Sequence, residues 1–211
     1  MLQIADIIKF KGHTIYKVKI DGIDRDELKD DILQAKKLYI GDTIFNNLAN
    51  VPGPGVQFFT EGIVSKELTN LTDICNNNLI EIHNSFSKSK IQKIYKKIWV
   101  YMGYSELKDN NYHDHLIFDI LLDDIVGTYT WTYYVQMPNN LTDDEGKLTF
   151  KNQIEDSEED TLSILPEEGY MYMFPASLWH KPELSPNSTI PRIVLASNIY
   201  CQFFPDSKKL L

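Results

Sequence analysis

From Ile98 onward the chain is a succession of short runs rich in β-branched and aromatic residues, each closed by turn-formers. The runs cover residues 98–104, 128–137, 146–150, 162–165, 169–174 and 192–204. Pro138, Asn139 and Asn140, Glu145 with Gly146, Pro166, and Pro186 with Asn187 punctuate them. Many short strands broken in this way pack as a sandwich or close as a barrel. The twelve tyrosines and 12% aromatic content agree with a β-rich core.

The first half reads differently. Residues 1–23 predict short strands, with Tyr16, Lys17, Val18, Lys19 and Ile20 alternating polar and apolar. Asp24 then caps a helix, with Glu27 completing an approximate capping box and Leu28, Ile32, Ala35 and Leu38 as its apolar stripe. Residues 51–55, VPGPG, predict a loop. Ser65 opens a second helix with Leu68, Leu71 and either Ile74 or Cys75 facing inward. Asn76, Asn77 and Asn78 interrupt or end that helix, and a third helical segment covers 79–85. The expected class is mostly β with flanking helices (α+β). The expected division is an N-terminal strand and helix extension over 1–55, a helical support segment over 56–96, and a β core over 97–211.

Composition narrows the function classes. With 21 basic and 30 acidic residues the formal charge is −9, which argues against nucleic-acid binding, since phosphate contacts need a basic surface. Two cysteines, Cys75 and Cys201, make no disulfide framework and no metal-type pair, and predict a reduced, cytoplasmic protein. The N-terminal apolar run is too short and too interrupted for a signal peptide, and no stretch is long enough to span a membrane. The acidic runs at 142–145 and 155–160 read as solvated loops.

Chemistry concentrates in His113, Asp114 and His115, read with His180 and Arg192. In a strand, His113 and His115 point to one side and Asp114 to the other. Two same-face imidazoles repel if protonated, and a metal that binds the neutral rings resolves this. With a third, distant histidine, three ligands close on one face of an ion. Open faces on such an ion are where non-haem Fe(II) oxygenases take cosubstrate and oxygen. His13 and His83 read as a surface or a hydrogen-bonded core residue.

The run 99–115, TYTWTYYVQMP, EEGYMYMFPASLWHKP and PRIVLASN together resemble the 2-oxoglutarate- and Fe(II)-dependent oxygenase superfamily. The nearest likeness is to its prolyl-hydroxylase-like branch, in particular oxygenases common in bacteriophages and marine bacteria. It covers roughly 97–204, about half the chain, and is most specific over 166–198. The resemblance implies a double-stranded β-helix, or jelly roll, with Fe(II), 2-oxoglutarate as a small-molecule cosubstrate, and molecular oxygen. It places the first iron ligand on His113 and the distal one on His180. The second, usually a carboxylate, falls on His115, with Asp114 as a rival that needs a local bulge. Arg192 matches the residue that grips the far carboxylate of 2-oxoglutarate, where a planar fork donates two parallel hydrogen bonds. Tyr134 shares that carboxylate. Val194 stands where many members carry a small hydroxyl residue, so one polar contact is lost. The resemblance further puts Asn198 in the pocket near the iron, Tyr101 against the cosubstrate, and Leu148 against its methylenes.

By analogy the substrate is a prolyl or other residue of a protein or peptide. Two rivals stand beside this reading: a jelly-roll binding module without turnover, and a three-histidine cupin-like dioxygenase that does not use 2-oxoglutarate. Neither needs the Arg192 and Tyr134 clamp. Nothing in the sequence indicates an oligomeric state.

Overall fold

The computed structural model describes residues 2–39, 56–59, 65–103, 112–114, 125–153, 157 and 160–203. The described strands are β1 (Ile4–Phe10), β2 (His13–Lys19), β3 (Val56–Phe59), β4 (Ile91–Gly103), β5 (Ile125–Gln136), β6 (Leu148–Lys151), β7 (Leu162–Ile164), β8 (Tyr170–Pro175), β9 (Trp179–Pro182) and β10 (Arg192–Phe203). Two helices, α1 (Arg25–Tyr39) and α2 (Lys66–Phe86), precede β3 and β4 respectively. The strands form one seven-stranded sheet, ordered β1-β2-β8-β5-β10-β4-β3, and one three-stranded sheet, ordered β7-β6-β9. Every described pairing is antiparallel. This is the jelly-roll core that the short-strand pattern and the resemblance imply.

Alternation along the central strands sorts the two faces of the large sheet. On one face Ile193, Leu195 and Ile199 of β10, Trp131, Tyr133 and Val135 of β5, and Met171 and Met173 of β8 meet α1 and α2. The helices contribute Leu28, Ile32 and Ala35 from α1, and Leu68, Leu71, Cys75, Leu79 and Ile82 from α2. On the other face Tyr134, Tyr172, Val194 and Phe174 look towards the small sheet. The gap between the sheets is closed by Leu148 and Phe150 of β6 and by Leu178.

Each helix starts where its chemistry allows. The Asp24 carboxylate accepts from the backbone amides of Asp26 and Glu27, both at 3.1 Å, and so satisfies donors that the first turn leaves over. Ser65 caps α2, accepting from Leu68 at 3.0 Å, and its own hydroxyl donates to Asp31 of α1 at 2.6 Å. One serine therefore both starts α2 and ties it to α1.

Four expectations change. Helix α2 runs through Asn76, Asn77 and Asn78 without a break and absorbs the separate segment expected at 79–85. The reason is tertiary: Asn76 is buried, and its side-chain oxygen accepts from the Trp131 indole at 3.2 Å. That bond outweighs the weak helix propensity of asparagine. Strands β4 and β5 begin earlier than the sequence suggests, at Ile91 and Ile125. Trp179–Pro182 is a strand that propensity does not mark. Finally, β1 and β2 are integral to the large sheet, because β2 pairs with β8 through Tyr16–Met173 and its neighbours.

No disulfide joins Cys75 and Cys201, both buried. Among the described residues no helix is long and apolar enough to cross a membrane. His83 is hydrogen-bonded core, touching the Tyr129 hydroxyl at 2.7 Å, and His13 meets Asn152 at 2.9 Å.

Two stability predictions follow from these contacts. Asn76→Ala leaves the buried Trp131 indole N–H without its acceptor, and is expected to cost about 1–3 kcal/mol, read as a lower urea midpoint at unchanged slope. Burial, helped by nearby Lys90 and opposed by the Ser89 carbonyl, holds His83 below its ordinary pKa of 6.5. The folded state therefore carries the neutral ring. Its contribution is full above the unfolded pKa and is lost as pH falls towards the folded value. The pH dependence of unfolding free energy on the acid side is expected to be shallower in His83→Gln than in the wild type. Identical slopes would show that His83 does not titrate with unfolding.

Candidate active site

His180 lies on β9, directly opposite Phe150 of β6, and is buried in the gap between the sheets. Phe174, from the large sheet, sets its edge against the imidazole at 4.7 Å. The ring's Nδ1–H donates to the Leu178 carbonyl at 3.0 Å. In the neutral ring that bond puts the lone pair on Nε2, the usual preparation of a metal-binding histidine.

His113 runs alongside as an isolated antiparallel bridge to His180. Each backbone donates to the other, at 3.0 and 2.9 Å. The pair extends the small sheet past β9 by one residue. The two rings lie 4.4 Å apart, centre to centre. A metal–imidazole bond of about 2.1 Å places two ring centres at right angles round one ion roughly 4.5 Å apart. The observed spacing fits two ligands of a single metal.

The segment carrying His113 is held from behind. Lys151 of β6 and Lys181 of β9 bring their ammonium groups to 4.5 and 4.7 Å from the centre of the Tyr112 ring. Phe150 and His180 face the gap, so Lys151 and Lys181, each one residue on, face the other side of the small sheet. Tyr112 is thus clasped by two cations, one residue before His113.

Arg192 opens β10 and is 4% exposed. It shares the gap-facing side of the strand with Val194, Ala196 and Asn198. Its Nη1 donates to the Glu183 carbonyl, just past β9, at 3.2 Å, so the side chain spans from the large sheet to the small one. Tyr134 sits opposite Val194 and packs edge-on against Tyr172 at 5.7 Å. Burial pushes its phenol up to about 12, against the opposing pull of the Arg192 charge and the Thr132 hydroxyl. At neutral pH it is a protonated donor. A register shift between Ile193 and Val194 leaves Val135 of β5 as the extra residue, a bulge just beyond Arg192.

The other expected residues divide. Asn198 is buried on the Arg192 side and accepts from the Thr130 hydroxyl at 3.3 Å. Leu148 lines the gap in one cluster with Phe150, Phe174 and Leu178. Tyr101 is placed by its backbone, opposite Val194 in β4, and its side chain lies outside the described residues. His115 also lies outside them. Asp114 is half-buried beside His113. Among the described residues no group of three or more His, Cys, Asp or Glu forms a metal site; His113 and His180 meet as a pair.

Sequence reasoning missed Thr132, Phe150, Tyr172 and Phe174 as gap-lining residues. The period-2 pattern of their strands carried the signal, and pairing order was needed to read it. Nothing in the sequence marks Lys151 and Lys181 as partners of Tyr112.

No family model and no curated protein matches this sequence. Solved structures do. A prolyl-4-hydroxylase from Pseudomonas putida superposes at a TM-score of 0.57 with 10% identity, over 92% of this chain and 94% of that one. A Trichoplax adhaerens prolyl hydroxylase, in complex with a peptide fragment of the hypoxia-inducible-factor oxygen degradation domain, gives 0.62 at 13% identity over 89% and 83%. EvdO2 of Micromonospora carbonacea, complexed with 2-oxoglutarate, gives 0.60 at 9% identity over 98% and 96%. The fold of this chain is that of the prolyl hydroxylases and related 2-oxoglutarate-dependent oxygenases.

The histidine pair makes a direct prediction. His180→Ala is expected to abolish stoichiometric binding of Fe(II), or of Mn(II) as a redox-stable stand-in, with the far-UV circular dichroism unchanged. Tight one-to-one binding by that variant would place the metal elsewhere.

Proposed function

We propose that this protein is a non-haem Fe(II)- and 2-oxoglutarate-dependent oxygenase. One observation carries the reading. Between the two sheets of a double-stranded β-helix the buried His180 meets the exposed His113 at ligand spacing, and a buried arginine reaches into the same gap. His113 and His180 hold the iron, with His115 as the third ligand and Asp114 as its rival. Bound iron, with 2-oxoglutarate and oxygen, supplies oxidative decarboxylation coupled to hydroxylation of a substrate C–H bond.

The protein's own contribution is positional. The Leu178 carbonyl fixes the His180 tautomer, and the backbone bridge sets His113 beside it. Arg192 offers its fork to the far carboxylate of the cosubstrate, and the Tyr134 phenol donates a further hydrogen bond. Leu148 packs against the cosubstrate chain, while Phe150 and Phe174 keep water from the histidine wall. Asn198, further along the Arg192 side of β10, faces the same gap, and Tyr101 is the further proposed contact of the cosubstrate. A binding module, or a three-histidine enzyme without 2-oxoglutarate, has no use for a guanidinium held at this burial.

The acceptor is a peptide or protein residue, with proline the first candidate. The support is the peptide held by the Trichoplax adhaerens enzyme of the same fold. This part rests on analogy of fold.

Anaerobic titration with Fe(II) and then 2-oxoglutarate tests metal, cosubstrate and class together. The expected result is a weak visible charge-transfer band that grows on 2-oxoglutarate addition and saturates at one equivalent. Its absence would overturn the assignment. Arg192→Ala is expected to weaken 2-oxoglutarate binding by ~2–5 kcal/mol while metal affinity stays close to wild type. Arg192→Lys is expected to fall between, since a point charge does not reproduce the fork.

A further inference from the structure

We propose that Lys151, Lys181 and Tyr112 are positioning residues for the metal. The two ammonium groups hold the Tyr112 ring, and through it the His113 imidazole, at the distance from His180 that one ion needs. This rests on the metal site proposed above. The lysines face away from the gap, so neither touches the ion itself.

The two histidines are anchored unequally. His180 is buried, with Phe174 at its edge and the Leu178 carbonyl on its Nδ1. His113 is exposed, and its backbone meets the small sheet through one isolated bridge. Such a bridge fixes a single residue pair. Further constraint comes from the half-buried residue just before it.

Counted antiparallel from His113 opposite His180, Tyr112 comes opposite Lys181. On its other side Lys181 faces Thr149 of β6, and Lys151 is the next β6 residue on that face. One lysine therefore reaches the ring directly and the other diagonally, at 4.7 and 4.5 Å from its centre. Neither is a solvated arm. Lys151 is 6% exposed, and the Lys181 side chain, 15% exposed, also pairs with Glu183 at 3.3 Å. Burying an ammonium costs free energy, and methionine would fill a similar volume without that cost. A ring face returns part of it, and returns more as water is excluded.

Charge and position make opposite demands. Two ammonium groups behind the site of a dication repel it. If the lysines act on the metal through charge alone, removing one tightens binding. If they act through Tyr112, removing one loosens it, so the sign of the change separates the two.

Free Mn(II), read by electron paramagnetic resonance under nitrogen, gives the dissociation constant for the full chain. Lys151→Met and Lys181→Met are each expected to weaken binding about two- to fivefold, the loss of one cation–π contact. Lys151→Arg is expected to retain most of the affinity, because a guanidinium also lies over an aromatic face. Tyr112→Phe keeps the ring and is expected to bind as wild type does, whereas Tyr112→Leu is expected to lose roughly tenfold. Tyr112→Leu combined with Lys181→Met is expected to lose no more than Tyr112→Leu alone.

Tighter or unchanged binding in both methionine variants overturns the inference. So does an additive loss in the double variant, which takes the effect out of Tyr112, and so does an equal loss in Tyr112→Phe and Tyr112→Leu. A lower metal-free melting temperature with unchanged affinity marks a clasp that serves the fold alone, and also overturns it. Where a methionine variant loses its far-UV circular dichroism, Tyr112→Phe against Tyr112→Leu decides. If wild type binds one Mn(II) and His180→Ala none, the metal site stands whatever the clasp does. If wild type binds none, both fall.

Discussion

Strand β10 is covered on both faces, with every residue from Arg192 to Cys201 buried. Much of the rest depends on that. A strand with helices on one side and a second sheet on the other sends alternate residues into two different environments. Ile193, Leu195 and Ile199 enter an apolar core against α1 and α2. Arg192, Val194, Ala196 and Asn198 face the gap that Leu148 and Phe150 of the small sheet close from the other side. A guanidinium tolerates such a position only where acceptors meet it. Arg192 stands at the strand's end, where the Glu183 carbonyl is within reach and the gap begins.

The opposite wall is built more lightly. The small sheet consists of β6, β7 and β9 among the described residues, and His113 joins it through a single bridge. Two backbone hydrogen bonds, one ring contact and the Tyr112 clasp hold His113 beside His180. Each is worth a kilocalorie or so at most in isolation. The proposed metal bond to both imidazoles would be far stronger, so metal binding would be coupled to the stability of this contact.

The elements that local chemistry decides were legible. The Asp24 and Ser65 caps, the apolar stripe of α1 and the strand texture after Ile98 all read directly from neighbours in the chain. Arg192 was also legible at the head of a strand, because Pro186, Asn187 and the apolar run that follows it punctuate that stretch. Non-local decisions were not. Asn76, Asn77 and Asn78 look like a helix end until Trp131 arrives to bond Asn76. Strand β9 is short and is defined by its partners, Leu148 to Lys151. The place of β1 and β2 in the large sheet depends on β8, far downstream in sequence, through pairs such as Lys19 with Tyr170.

The proposed cosubstrate is an anion, while the protein carries a formal charge of −9. The acidic side chains that set this sum are largely solvated. Asp144, for example, is fully exposed and only loosely engaged by Lys147 at 3.4 Å. Beyond a Debye length of about 8 Å at physiological salt, such charges are mostly screened. Inside the gap the balance reverses. On the gap-facing positions of β5 and β10 the one formal charge is Arg192, and Tyr134 stays protonated because burial holds its phenol high. A carboxylate at about 4 Å from a guanidinium gains roughly 4 kcal/mol at an effective dielectric of about 20. The diffuse surface charge cannot match that at its distance. The global charge therefore governs how fast an anion approaches, and the local charge governs whether it stays.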